Sequence, residues 1–429
     1  MKKALIEIVI LLLVSCLVIF SQFNQVPKKL SWDEIEFTRL ALSLSDKNYT
    51  PYSQLATGHS TLYFYIILLS FKIFGVTNFA LRFPAALFGV GSVLMFYFIA
   101  RTVFSNLQYF PNKFLKQKLP IVGSFNSYIP FLLSLILVTS RWYFNFARFS
   151  FEVTFLLFLE LVSIFFLFKF LKLKKLSYLI PSSIFAGLAF LSYYPGRIFF
   201  LLPTTFIFFQ KKIAKKYAGL FLLIVIVVTT PLLIYLLTHK DLRVEQQLFL
   251  TEKKLSVWEK IQYGEENLYK VIGMFNLNGD LNGRHNYPGK PALNPVIGGF
   301  FILGFLVTIL HLKLFYNQFF LAYFLLSLFP TLLTYPVENP NSLRTYTAIV
   351  PILYFIGNGI IYLLQTEYKS KKLFLLVILV LLALFLLSSL YDVRTYFLYQ
   401  KGVFQKAFEL NGSIQRILNL KLWEKANWL

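Results

Sequence analysis

The sequence predicts an all-α, polytopic membrane protein, and three observations carry that reading. Apolar runs of roughly 18 to 22 residues recur along the chain, long enough for helices that cross a bilayer. Hydrophobic residues make up 57% of the 429 residues and charged ones only 14%, too few charges for a soluble globule. The 50 Phe and 26 Tyr fit a chain rich in the rings that favour membrane interfaces.

The net charge of +23 does not point to nucleic acid. The lysines sit in short blocks between apolar runs, where the positive-inside rule places them. The single cysteine, Cys16, lies inside an apolar run, which excludes a disulfide framework and zinc-ligand spacing. Met1-Lys2-Lys3 and the apolar run to Phe20 have the outline of a signal peptide but no small-residue cleavage site, so an uncleaved first span is expected.

The apolar runs fall near 4–23, 61–74, 82–104, 121–140, 151–170, 178–194, 197–209, 217–237, 293–310, 318–334, 345–364 and 373–390. Basic blocks follow at Lys2/Lys3, Lys113/Lys116/Lys118, Lys169/Lys172/Lys174/Lys175, Lys211/Lys212/Lys215/Lys216, Lys313 and Lys369/Lys371/Lys372. If every run crossed, the first block and the others would lie on opposite sides, against the charge rule. One early run must therefore fail to cross. The weakest is 61–74, short and carrying Lys72, which suits an interfacial helix. About 11 transmembrane helices remain, with a cytoplasmic N-terminus. The domain reading is a membrane domain over 1–390, a first outer loop at 24–80, a long outer loop at 238–292 and a short non-cytoplasmic tail at 391–429.

The first outer loop concentrates acid. Ser31-Trp32-Asp33-Glu34-Ile35-Glu36 holds three of the chain's 19 carboxylates. Residues 31–45 read as a helix lying on the membrane, with Ser31 and Glu34 at capping-box spacing. Phe37, Leu40, Ala41 and Leu44 recur at helical spacing and give one apolar face. Asp33 sits in the first turn, where the helix dipole favours the carboxylate. Capping accounts for Glu34 without chemistry, and Asp33 suits either a stabilising first-turn acid or a general base at a membrane surface. Glu36, three residues from Asp33, reads as solvated. Arg148 and Glu152, four apart, read as a structural ion pair.

The motifs then fall into a recognisable order: Trp32-Asp33-Glu34, Gly58-His59-Ser60-Thr61-Leu62-Tyr63-Phe64-Tyr65, Ala80-Leu81-Arg82-Phe83-Pro84, Phe146-Ala147-Arg148-Phe149-Ser150-Phe151-Glu152, Tyr193-Tyr194-Pro195-Gly196-Arg197, Asp280-Leu281-Asn282-Gly283-Arg284-His285-Asn286 and Pro340-Asn341-Ser342-Leu343-Arg344. Together they resemble the dolichyl-phosphate-mannose–protein mannosyltransferase superfamily. These are GT-C glycosyltransferases of the family 39 type, and the bacterial aminoarabinose transferase is among them. One departure is plain. The family usually carries two prolines after the residue matching His59, and this chain has Ser60-Thr61, which loosens the expected constraint on His59.

The resemblance implies a GT-C fold and inverting transfer of a sugar from a polyprenyl-phosphate carrier to a protein, lipid or glycan acceptor. Transfer would occur at the non-cytoplasmic face of the plasma (inner) membrane, without nucleic acid. Asp33 matches the expected base and Glu34 the second acid. A leaving lipid phosphate needs a cationic clamp, and arginine's planar fork suits it. Arg197 is the first candidate, followed by Arg284 with His285, and Arg344. His59, Tyr63 and Tyr194 are candidates for positioning donor or acceptor. No cofactor is expected: related enzymes with singly phosphorylated donors usually need no metal, and the sequence offers only Asp33 with Asp280 as a pair that could hold a divalent cation. The alternatives are a polyprenyl-linked saccharide flippase, which the sequence does not favour because it shows no two-half repeat, and a non-catalytic member of the fold.

Overall fold

The computed structural model describes residues 2–45, 48–104, 127–365 and 370–419. Lys113, Lys116, Lys118, Lys369, the start of the 121–140 run and the last ten residues of the tail lie outside the described residues. Among the described residues the regular structure is helical, apart from one two-stranded hairpin and two isolated bridges.

The helices are α1 (Lys2–Phe20), α2 (Trp32–Ser43), α3 (Leu62–Phe74), α4 (Asn78–Phe104), α5 (Ile129–Thr139), α6 (Arg141–Phe146), α7 (Val153–Leu173), α8 (Leu176–Phe190) and α9 (Leu201–Phe208). They continue with α10 (Lys216–Thr238), α11 (Leu242–Gln247), α12 (Val257–Gly273), α13 (Pro295–Leu310), α14 (Phe315–Leu332), α15 (Ile349–Leu364), α16 (Lys371–Arg394), α17 (Lys401–Ala407) and α18 (Ile414–Ile417). Seven spans are long and apolar enough to cross a membrane among the described residues: α1, α4, α7, α10, α14, α15 with its leading turn, and α16 continued into α17. The shorter apolar helices are α3, α5, α8 and α13. The 61–74 run is indeed short, as its weak signal implied. The run 197–209 is not one helix. Pro195 and Gly196 lie in a 3₁₀ turn, Tyr194–Ile198, and only Leu201–Phe208 is α-helical beyond it. A Cβ on Gly196 would come within 2.4 Å of Leu156 and 2.5 Å of the Ala189 carbonyl, so the turn packs directly onto α7 and α8. The last long helix passes residue 390 without a break, through a π-helical turn at Thr395–Gln400.

Two glycines let α13 and α15 meet backbone to backbone. A Cβ at Gly304 would lie 1.6 Å from the Phe355 carbonyl oxygen, and one at Gly359 would lie 3.0 Å from that of Phe300. Such small-residue contacts are how helices approach closely in lipid.

Residues 21–30, between α1 and α2, are held by two buried arginines. Arg148 Nη1 donates to the carbonyl of Val18 at 2.9 Å and also to that of Ile19, satisfying the last turn of α1. Its Nη2 reaches Val26 O at 3.0 Å, and its Nε reaches the Tyr396 hydroxyl at 3.2 Å. The expected Arg148–Glu152 pair does not form. The two residues fall between α6 and α7, so no helical turn brings them onto one face. Arg82 does the second half of the work. Its Nη1 donates to Pro27 O at 2.7 Å and its Nη2 to Lys29 O at 2.8 Å, while its Nε meets Glu34 Oε1 at 2.7 Å. An antiparallel bridge, Leu30 with Leu410, then ties the same segment to the tail.

α2 forms where the sequence placed it. Ser31 Oγ accepts from the Glu34 N–H at 3.2 Å, and the Ser31 N–H donates to Glu34 Oε2 at 3.1 Å, completing the capping box. Phe37, Leu40, Ala41 and Leu44 are all buried. They face protein and not the membrane surface expected for this helix, with Phe37 set edge-on against Phe64 and Phe151.

Removing one partner of a buried ion pair strands the other, a loss of about 3–5 kcal/mol. Arg82→Leu and Glu34→Leu should each lower the melting temperature in detergent strongly, and the double variant should lose less than the sum of the two. Additive losses would show that the pair is not coupled.

Candidate functional site

A cavity of about 490 Å³ opens at the N-terminal end of α2. Segments distant in sequence build its wall, Phe151 and Tyr193 among them. α2 supplies Asp33, Glu36 and Phe37, the hairpin supplies His59, and α11 supplies Arg243 and Gln247. The loop after α12 brings Asp280, Arg284 and His285, and the turn before α15 brings Glu338, Asn339 and Arg344.

Neighbours on one helical turn, Asp33 and Glu34 meet different fates. Asp33 turns into the cavity and pairs with Arg284, both side chains part-exposed at 40% and 24%. Glu34 is fully buried, where Arg82, the Ser31 N–H and the Ser150 N–H (3.3 Å) saturate its carboxylate. It is absent from the cavity wall. Glu36 does line it, bonded to Arg39 at 2.6 Å.

His59 is fixed without the missing prolines. β1 (Tyr52–Ser53) and β2 (His59–Ser60) pair antiparallel, with Ser53 opposite His59. The Thr61 N–H donates to Pro51 O at 3.2 Å, closing the hairpin. Gly58 makes the turn possible at φ +93°, where a side chain would collide with the Tyr52 hydroxyl at 2.2 Å. The imidazole packs edge-on against Phe37 and Phe64. Its Nδ1 lies 3.1 Å from Glu152 Oε1, and Nε2 lies 2.8 Å from Arg243 Nη1. A neutral ring donating to Glu152 and accepting from Arg243 satisfies both contacts.

Arg243 is the principal residue the sequence reading did not single out. Asp241 caps α11 by accepting from the Arg243 and Val244 N–H groups at 3.1 and 3.3 Å, which starts a helical turn and aims Arg243 inward. The guanidinium lies 5.0 Å from the Tyr193 ring and 5.6 Å from that of Tyr194, both cation–π distances. The available signal was an Asp-x-Arg at the start of the long loop after α10. Burial pushes His59 below its ordinary 6.5, and the Arg243 charge adds to that. Burial also works to raise the Glu152 carboxyl, but His59 and Arg243 overrule it and hold it below 4.5.

The 280–286 loop is folded by its own polar side chains. Asp280 accepts from the Asn282 N–H at 2.8 Å, from the Ser342 N–H at 2.8 Å and from His285 Nδ1 at 3.0 Å. Asn282 accepts from the Arg284 N–H at 3.0 Å, and Asn145 Nδ2 donates to the carbonyls of Arg284 and His285, each at 3.0 Å. Arg284 is thus presented from a rigid backbone. Arg344 pairs with Glu338, while its buried Nη1 has no hydrogen-bond partner among the described residues.

Of the residues singled out in the sequence, Asp33, His59, Arg284, His285 and Arg344 meet on this cavity. Arg197, Tyr63, Tyr194 and Glu34 do not line it. Arg197 is engaged with Asp241, the cap of α11, and so supports Arg243 from behind. Tyr63 is buried and stacked on Phe155 of α7, and Tyr194 is part-buried against the Arg243 guanidinium. No group of three or more His, Cys, Asp or Glu side chains suited to a metal ion occurs among the described residues.

Comparison with known proteins places this geometry in context. Residues 58–109 match the family model for dolichyl-phosphate-mannose-protein mannosyltransferase. No curated protein sequence matches the chain. Among solved structures, the chain is similar to the apo oligosaccharyltransferase of Archaeoglobus fulgidus, with a TM-score of 0.59 and 14% identity over 99% of this chain and 58% of that one. It is also similar to ArnT from Cupriavidus metallidurans bound to undecaprenyl phosphate, with a TM-score of 0.51 and 11% identity over 95% and 76%. The archaeal oligosaccharyltransferase AglB from A. fulgidus, in complex with an inhibitory peptide and a dolichol-phosphate, aligns with a TM-score of 0.53 and 12% identity over 95% and 56%. The chain thus spans little more than half the length of the archaeal structures it resembles. The chain has the fold of these solved structures, the GT-C fold that the sequence led us to expect.

Proposed function

We propose that this chain is an integral-membrane glycosyltransferase that moves a sugar from a polyprenyl-phosphate carrier to an acceptor at the non-cytoplasmic face. The observation that carries the reading is one cavity holding a part-exposed carboxylate, Asp33, among three arginines, Arg243, Arg284 and Arg344. Two similar folds are solved with undecaprenyl phosphate and dolichol-phosphate, which supports a lipid phosphate as the anion those arginines await.

In this reading Asp33 takes the proton from an acceptor O–H or N–H. The acceptor atom forms its bond to the anomeric carbon as the bond from that carbon to the phosphate oxygen breaks, with inversion. The departing phosphate keeps the electron pair, and guanidinium groups stabilise the charge it gains. Arg243 replaces Arg197 as the first clamp candidate, because it reaches the cavity and Arg197 does not. Arg344 joins it through its unpartnered Nη1. Arg284 has a double position: it holds Asp33 while the site is empty and faces the same cavity that would receive the phosphate. Phosphate arriving at Arg284 would compete with Asp33 for its N–H groups and release the carboxylate. Glu34 leaves the chemistry and acts through Arg82, holding α2 in place.

Asp33→Asn keeps the shape of the side chain and removes its basicity, so sugar transfer should fall by about 10²–10⁴-fold, with unchanged expression and melting temperature. Near-normal transfer by the folded variant would remove Asp33 from the base role. Arg243→Ala should lower transfer from a polyprenyl-phosphate donor by about 10²–10³-fold. Arg197→Ala should chiefly lower thermal stability, by leaving Asp241 unpaired, and equal donor defects in the two would return Arg197 to the clamp. The neutral state of His59 has its own signature. Its folded pKa lies below the 6.5 of the unfolded chain, so its stabilisation is full above pH 6.5 and lost as pH falls below it. The stability gap between wild type and His59→Gln should narrow from about pH 7 to about pH 5, and a constant gap would contradict the assignment.

A further inference from the structure

The helix α12 has a chemistry that the cavity does not use. Its sequence divides into three faces. One packs on the protein: Asn267 and Val271 are buried, and Asn267 Nδ2 donates to the carbonyls of Leu332 at 2.9 Å and Thr334 at 2.6 Å. A second is polar, with Glu259, Gln262, Glu266 and Lys270, the last two paired at 2.7 Å. The third is an exposed apolar strip at helical spacing. Trp258, Ile261, Leu268 and Ile272 are 66%, 47%, 49% and 63% exposed.

Such a strip is out of place in water and fits the boundary of a bilayer. Two further observations favour lipid as its cover. Asn267 fixes α12 to the end of α14, a membrane-spanning helix whose Leu325 and Phe329 are also exposed, which sets α12 at the level where that span ends. Trp258 and the exposed Tyr269 lie along the strip's border with the polar face, where amphipathic rings sit at headgroup level. Glu265, four residues from Ile261 and three from Leu268, interrupts the strip on its Trp258 side, where a glutamate can extend toward the headgroups. Lys253 and Lys254 precede the helix, and the capping box of Ser256 and Glu259 stops them from continuing it.

We propose that α12 is an interfacial helix that lays Trp258, Ile261, Leu268 and Ile272 into the bilayer boundary on the cavity's side and so braces the cavity wall. The brace is direct. Asn339 Nδ2 donates to Asn267 Oδ1 at 2.8 Å, and Lys270 Nζ donates to the Pro336 carbonyl at 2.8 Å. The segment they hold carries Glu338, the partner of Arg344. This placement stands independently of the transfer reaction.

The test uses the full chain in vesicles of phosphatidylethanolamine and phosphatidylglycerol, with Cys16→Ser as background. Nitroxide labels go on Ile261→Cys, Leu268→Cys and Ile272→Cys, and on Gln262→Cys and Glu266→Cys from the polar face. Strip labels should collide with oxygen several-fold more than with a water-soluble nickel chelate, and polar-face labels should show the reverse. Nickel reaching both faces equally would put the strip in water, and strip labels reached by neither reagent would put it under protein; either result overturns the proposal. For the brace, a label at the exposed Val337→Cys should gain mobility when Leu268→Asp and Ile272→Asp lift the helix, and to a smaller degree with the milder Trp258→Ser. An unchanged spectrum in both would remove the coupling to the cavity wall.

Discussion

The buried pair of Arg82 and Glu34 is the constraint on which the cavity rests. An unsolvated ion pair gains little net stability against a well-packed apolar core, yet it is unforgiving about geometry. Here one guanidinium bonds the carboxylate of α2 and the carbonyls of Pro27 and Lys29 together. The segment entering α2 and the helix itself are therefore fixed by the same cation on α4. Asp33 precedes Glu34 by one residue, so the register that saturates Glu34 also aims Asp33 at the cavity. A slip of α2 along its axis would break both.

Arg148 extends that logic to the neighbouring segments. It caps the last turn of α1 and lies 5.3 Å from the Tyr396 ring and 4.9 Å from that of Phe397 at the π-helical turn. The first helix, the loop that follows it and the last long helix thus converge on one side chain. Neither arginine opens to the cavity: Arg148 gives donors to the carbonyls that the end of α1 leaves unsatisfied, and Arg82 gives its own to the Pro27 and Lys29 carbonyls and the buried Glu34 carboxylate. The arginines that do open to the cavity, Arg243, Arg284 and Arg344, are bound instead to side chains, which a competing anion can displace. Basic residues are therefore divided between two kinds of work by what they bond.

How much of this was legible in the sequence depends on the range of each interaction. The capping box of Ser31 and Glu34, the apolar face of α2 and the short 61–74 helix were readable because residues three to seven apart encode them. The second partner of Glu34 was not, because Arg82 lies 48 residues away and sat inside an apolar run with no charge pattern to connect them. The reading of Arg148 with Glu152 failed because it assumed a helix across a break between two helices. Arg197 was favoured for standing at a span end. Arg243 was overlooked because its inward aim comes from an Asp241 cap and a short helix that carry no periodic signal. The long-range assembly of the site was visible only as an order of motifs.

The contrast between the two sides of the Asp33–Arg284 pair says most about how such a site can work. Behind Arg284 the backbone is locked, with Asp280, Asn282 and Asn145 all accepting or donating within the loop at 2.8 to 3.0 Å. Behind Asp33 the helix is locked by Arg82 and the capping box. The only freedom left is in the side chains themselves, both part-exposed and facing a solvated cavity. An ion pair in that setting is worth little against water, roughly 0–1 kcal/mol, so the singly charged phosphodiester of a donor can compete with the carboxylate for the guanidinium, and the second charge that the phosphate gains on leaving strengthens its hold. Rigid backbones with a weak pair between them make a site that is positioned before the anion arrives and changes only its hydrogen bonds when it does. That is the economy expected where preorganised charge, rather than a moving lid, stabilises a departing anion.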